Sequence, residues 1–193
     1  MAVTIGQLTS ESREHALNLP QVSLMSSVDT DTVLFKVDLL LNQYSVIKHT
    51  EPYTKLTKTV QIKDDLYSSS FIKPLTVRRI SNLLCSNEEP QVTEIATIDK
   101  ERLNHDVLNY LDKHIILIGG MTEGILGKEN YHNSVYRVDL SDGQVSELPG
   151  LNKGRANSAS CEQNGIIYVA AGDDSKKSLT NTIEVLDLPG GSK

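Results

Sequence analysis

Hydrophobic positions in this chain come in short runs broken by turn residues. They do not recur at helical spacing. In the run Val135-Tyr136-Arg137-Val138-Asp139-Leu140, the residues Tyr136, Val138 and Leu140 fall on one side, and Val135, Arg137 and Asp139 on the other. That period of two is the signature of a strand. Ile166-Ile167-Tyr168-Val169-Ala170-Ala171 and His114-Ile115-Ile116-Leu117-Ile118 are continuous apolar runs, as expected of strands covered on both faces. Asp142-Gly143 and Asn164-Gly165 lie between such runs and favour tight hairpin turns, because these residues tolerate positive φ. The single helical candidate is Ser10 to Leu17, with Ser10 as its cap. The pattern predicts an all-β region over 22–193, preceded by an N-terminal extension at 1–21.

The strands belong to a repeat. Gln91-Val92-Thr93-Glu94-Ile95 matches Gln144-Val145-Ser146-Glu147-Leu148 at an offset of 144 − 91 = 53. Carried on without gaps, that offset sets Arg102 on Arg155, Asn104 on Asn157, Ile115 on Tyr168 and Gly119 on Gly172. A third copy starts at Gln43-Tyr44-Ser45-Val46-Ile47, where Tyr67 takes the place of Tyr168 and Phe35-Lys36-Val37-Asp38-Leu39 that of Tyr136 to Leu140. In the middle copy this last stretch corresponds to Leu83-Leu84-Cys85-Ser86-Asn87. A partial copy at Asn181 to Leu188 parallels Asn133 to Leu140 at an offset of 48. Each copy holds about four short strands in roughly 50 residues, the size of one propeller blade.

These residues resemble kelch repeats. The fullest copy reads Ile115-Ile116-Leu117-Ile118-Gly119-Gly120, a loop, Asn133 to Leu140, Gly143 to Pro149, then Asn152-Lys153-Gly154-Arg155. The resemblance is good over 82–188 and loose over 22–81. The family's tryptophan position holds Tyr44, Val92 and Val145, and the double glycine is complete at Gly119-Gly120 alone, against Gly172-Asp173 and Phe71-Ile72 elsewhere. The copies are therefore divergent. The resemblance implies an incomplete kelch-like β-propeller of about three to four four-stranded blades. In it, the glycines, the residues at the tryptophan position, Arg102 and Arg155 are scaffold, with the arginines tying loops to neighbouring carbonyls. A kelch ring has more blades than this. The expectation is a ring completed by another chain, by a second copy, or by sequence beyond residues 22–193, with an atypical closure of few blades as the alternative.

Composition narrows the function. The net charge of −6 argues against a nucleic-acid-binding face, which calls for a basic patch. No run approaches the roughly 20 apolar residues of a membrane span, and the first residues show no secretory signal. Cys85 and Cys161 are too few for a disulfide framework or a structural zinc site. They read as small buried residues of a reducing compartment, so the expected location is cytoplasmic. His49, His105, His114 and His132 come with no nucleophile or second ligand at a defined spacing, and His105 reads as a turn residue. Neither metal nor cofactor is expected, and the copper ligand set of some kelch-related oxidases is not matched. Recognition is expected in the loops, with Lys128, Glu129, Tyr131 and His132 in one and Asp173, Asp174, Lys176 and Lys177 in another, and Tyr131 as anchor.

The reading is a non-catalytic interaction scaffold or adaptor with a protein partner. Kelch relatives serve in this way on the cytoskeleton and in ubiquitin ligases. One alternative is a structural subunit that only completes a propeller in a larger assembly. Another is a propeller-type enzyme with a site in its central channel.

Overall fold

The computed structural model describes residues 22–28, 31–38, 43–49, 58–70, 74–82, 91–124, 128–175 and 178–188, with the backbone alone for the first three segments. Every regular element among the described residues is a strand. The predicted helix at 10–17, the extension at 1–21 and the segment 83–87 lie outside them.

Four main sheets follow one another along the chain. The first comprises β1 (Val22–Val28), β2 (Asp31–Asp38) and β3 (Gln43–His49) in that order. The second holds β4 (Lys58–Ile62), β5 (Asp65–Ser69), β6 (Leu75–Ser81) and β7 (Gln91–Ile98). The third is built from β8 (Asp106–Tyr110), β9 (His114–Ile118), β12 (Val135–Asp139) and β13 (Val145–Leu148). Between β9 and β12 the chain makes a small hairpin of β10 (Met121–Glu123) and β11 (Glu129–Tyr131). The last sheet contains β14 (Ala159–Gln163), β15 (Ile166–Ala170) and β16 (Ile183–Asp187). All pairings are antiparallel between neighbours in sequence, with a bulge in β6 at Val77/Arg78. β8 lies beside both β4 and β14, so the first strands of the second, third and last sheets are neighbours. This is the arrangement of blades around an axis.

The core lies between the sheets. Ile62, Tyr67, Leu75, Val77 and Ile98 of the second sheet and its flank meet Ile115, Leu117, Tyr136 and Val138 of the third. On the other side of the third sheet, Leu108, Tyr110, Ile116, Ile118 and Val135 meet Ile167, Val169, Leu186 and Leu188. Adjacent residues of β9 therefore point into different interfaces, which is why the run 115–118 is apolar at every position. Each of these fully buried aliphatic side chains contributes roughly 1.5–3 kcal/mol. Val145 packs against the first of these clusters, as its place at the tryptophan position implies.

The register corrects the ungapped alignment. Asn104 and Asn157 keep the offset of 53 and share a φ of 54°. The β8–β9 connection then spans 111–113, three residues, and the β14–β15 connection only Asn164 and Gly165. The offset falls by one. Gly119 and Gly120, at φ 63° and 92°, correspond to Ala171 and Gly172, at 56° and 93°. Ile115 is thus the counterpart of Ile167 and not of Tyr168. A slip of one residue exchanges the two faces of a strand, so each side chain of β15 changes interface with this correction. The third strand of the second sheet is β6, upstream of the expected 83–87. The offset of 48 holds, since Leu186 lies opposite Ile167 as Val138 lies opposite Ile115.

The run 166–171 is not covered on both faces. Ile167 and Val169 are buried, whereas Ile166, Tyr168 and Ala170 are half-buried on the far side of the sheet. Beside them Ile183 is 67% and Val185 57% exposed. Cys161, expected to be buried, is an exposed free thiol on β14. No described sheet stacks on this side, and that is the physical reason for both departures. Cys85 lies outside the described residues.

Candidate functional site

In the third and last sheets, the loops that join the second strand to the third and the loops that lead into these sheets gather at one end. Backbone hydrogen bonds tie them together. Gly120 N–H donates to Arg155 O at 2.8 Å, Arg155 N–H to His132 O at 3.1 Å, and Asn157 N–H to Asn104 O at 2.9 Å. Leu103 and Met121 exchange two bonds of 2.8 Å, and Leu151 N–H reaches Asn133 O at 2.8 Å. Gly120 is required by this closeness. Its φ is 92°, and a Cβ there would stand 2.9 Å from Leu103 O and 3.0 Å from the His105 Cβ.

Two arginines anchor these loops. Arg155 is completely buried. One of its terminal nitrogens donates to Ala171 O at 2.9 Å and Thr182 O at 3.4 Å. The other donates to Thr182 Oγ1 at 3.3 Å and forms a close ion pair with Glu184. Glu184 Oε2 also accepts from Asn152 Nδ2 at 3.0 Å. Arg102 is the counterpart one blade earlier. It donates to Glu101 O at 2.8 Å and to Ser134 Oγ at 3.1 Å. Burial lowers its pKa from the usual arginine value, against the opposing effects of Tyr136 and Glu147. Tyr136 occupies the position that Glu184 holds in the last sheet, at the offset of 48. The arginines bind carbonyls, as expected, but sequence reasoning missed their side-chain partners. The offset of 48 carried the signal for them.

His105 is buried and not a solvated turn residue. Its Nδ1 lies 2.9 Å from Arg102 O and its Nε2 2.6 Å from Ser69 Oγ. Nδ1 therefore carries the proton and donates to the carbonyl, and the serine hydroxyl donates to Nε2. Desolvation lowers its pKa to about 4, with Lys58 and Arg102 adding to the effect and the bond to Arg102 O opposing it. The spacing is that of a serine–histidine pair. Ser69 is 0% and His105 1% exposed, so the pair is closed to a substrate and joins two blades instead. The sequence gap of 36 residues between them hid it.

The structure brings several of the predicted loop residues together. Tyr131 is half-buried, and its hydroxyl donates to Glu129 at 3.0 Å. Burial, that bond, and the charges of Glu129, Asp173 and Asp174 raise its pKa above the usual tyrosine value. Lys128 is exposed on the same hairpin. His132 turns to Thr122, with Nε2 3.0 Å from Oγ1. Its pKa is lowered by burial and then by Arg102 and Lys100. Asp173 Oδ2 accepts from Asn157 at 2.8 Å, and Asp174 Oδ1 from Ser178 at 3.4 Å. Lys176 and Lys177 lie outside the described residues. Among the described residues no group of three or more His, Cys, Asp or Glu could hold a metal ion, and no helix is long and apolar enough to cross a membrane.

Antiparallel sheets stacked face to face, with their first strands side by side, define a β-propeller segment. The double glycine, the buried arginines and the repeat spacing specify its kind. Residues 154–192 match the family model of the Kelch motif, and the chain is a divergent, incomplete kelch-like propeller. A solved structure titled "Structure of YjhT" is similar with a TM-score of 0.65 and 14% sequence identity. The match covers 83% of this chain and 50% of that one, so the chain spans half the length of that structure. At this identity the likeness concerns the fold. No curated protein matches the chain.

Proposed function

We propose that this protein is a non-catalytic interaction scaffold of the cytoplasm that holds a protein partner on the loop end of its blades. One observation carries the reading. The hairpin β10–β11 and the loop at 173–175 place Tyr131, Glu129, Asp173 and Asp174 in one electrostatic neighbourhood, on loops fastened to rigid blades by Arg102 and Arg155. A half-buried tyrosine ringed by polar groups has the make-up of a binding hot spot. Its position is preorganised, so little ordering entropy opposes binding. The histidine best placed for catalysis, His105, is committed to joining blades. The free thiol of Cys161 suits a reducing compartment.

The test compares proteins captured from cytoplasmic extract by the immobilised native chain and by Tyr131→Ala, quantified by mass spectrometry. The expected result is a defined set of proteins lost with the substitution while circular dichroism stays the same. Identical sets would overturn the assignment of the loop end. A second reading, a subunit that completes a propeller in an assembly, is favoured by the open face of the last sheet, where Ile183 and Val185 stand exposed.

A further inference from the structure

The joints on the two sides of the third sheet are closed in different ways. At the joint with the second sheet, His105 reaches across to Ser69 of β5. At the joint with the last sheet, the counterpart of His105 is Ser158, at the offset of 53. The counterpart of Ser69 is Ile118, since Ser69 pairs with Lys58 and Ile118 with Asp106 at the starts of β4 and β8. A serine side chain is shorter than that of histidine, and isoleucine offers no hydrogen-bonding group. Ser158 is 7% exposed, and its hydroxyl has no hydrogen-bond partner.

Two further buried oxygens face the same joint, where β8 and β14 lie side by side. Leu108 and Tyr110 of β8 pack against the last sheet, and Asp106 shares their side of the strand by the period of two. Asp106 Oδ1 accepts from the Val107 N–H at 2.9 Å, whereas Oδ2 is sealed from solvent without a partner. From the other blade, Ser160 lies opposite Val169, which packs against the third sheet. The Ser160 hydroxyl is likewise sealed without a partner. The levels agree. Asn157 N–H donates to the carbonyl of its own counterpart, Asn104, at 2.9 Å. The counterpart of Asp106 at the offset of 53 is Ala159, so Asp106 enters the joint between the heights of Ser158 and Ser160.

We propose that Asp106, Ser158 and Ser160 form a site for a monovalent alkali-metal cation, sodium or potassium, between the inner strands of the third and last blades. A buried charge needs an opposite charge or a metal ion. Among the described residues no lysine, arginine or histidine forms an ion pair with Asp106. Water satisfies the hydrogen-bonding capacity of the hydroxyls but leaves the carboxylate charge uncompensated. Hard cations take oxygen donors of this kind. One carboxylate with neutral hydroxyls balances one unit of positive charge, so a monovalent ion leaves the joint neutral and a divalent ion does not. The ion does at this joint what the bond between His105 and Ser69 does at the other.

The experiment is thermal unfolding of the full chain, followed by circular dichroism, in sodium, potassium and tetramethylammonium chloride at one ionic strength. Tetramethylammonium carries the same charge and is too large for the joint. The native chain melts about 2–4 °C higher in sodium or potassium, and the shift saturates with concentration. Asp106→Asn keeps an acceptor for the Val107 N–H and removes the charge. This variant melts at one temperature in all three salts. In tetramethylammonium it melts above the native chain, whose carboxylate is uncompensated there. Ser160→Ala removes one neutral oxygen and no charge, and it needs more salt to reach half of the shift. Native melting that is indifferent to the identity of the cation would mean that water alone bridges the oxygens, and would overturn the proposal. A salt shift that persists in Asp106→Asn would overturn it as well.

Discussion

Acidification from neutral pH should loosen the joint between the second and third blades through a single histidine. The His105 imidazole, buried between Ser69 and the Arg102 carbonyl, stays neutral in the folded chain down to about pH 4. In the unfolded chain a histidine titrates near 6.5. Between these values the unfolded state binds more protons, so stability falls as pH falls. The contribution is whole above about pH 6.5 and exhausted below about pH 4. At about 1.36 kcal/mol per pKa unit, that window corresponds to about 3 kcal/mol. A domain has only about 5–15 kcal/mol in all, so the effect should be visible. The assay is urea unfolding of the native chain and His105→Gln at a series of pH values from neutral to about pH 4. Glutamine can bond to the carbonyl and the serine but does not titrate, so the acid responses of other groups cancel in the difference. The native chain should lose about 3 kcal/mol relative to the variant across the window. A difference that is constant with pH, or a His105 ring proton titrating near 6.5 by NMR, would refute the reasoning.

Arg155→Met should destabilise by roughly 3–5 kcal/mol in urea unfolding, because it leaves the Glu184 carboxylate without its partner. Arg102→Met should cost less, about 1–3 kcal/mol, since the side-chain group left behind is the neutral Ser134 hydroxyl; equal costs would contradict this account of the two anchors. Gly120→Ala should lower stability by about 1–3 kcal/mol from its positive φ and the approach of Leu103 O, and a neutral thermal melt would show that the loops relax instead. Tyr131→Ala should remove partner capture and leave the melting temperature within about one degree, as expected of a residue outside the inter-blade core.

Much of the fold was legible because a strand pattern and a repeat are local properties. Alternation at 135–140, the turn dipeptides and the match of Gln91 to Gln144 each depend on a few neighbouring residues, and together they imply stacked four-stranded blades. The loops between the repeated strands were legible for the same reason, as segments of unequal length between matching copies. Other features required the three-dimensional chain. A hairpin one residue shorter at Asn164-Gly165 than at 111–113 moved the whole of β15 to the opposite register, and two turns of different length read alike in an ungapped alignment. The partnership of His105 with Ser69, and the choice of Glu184 or Tyr136 opposite each arginine, arise where separate blades meet. The exposure of Cys161, Ile183 and Val185 follows from which sheets stack, and not from the residues themselves. Periodicity determines which faces of a strand are apolar. Burial of those faces depends on the neighbouring blade, which only the tertiary structure supplies.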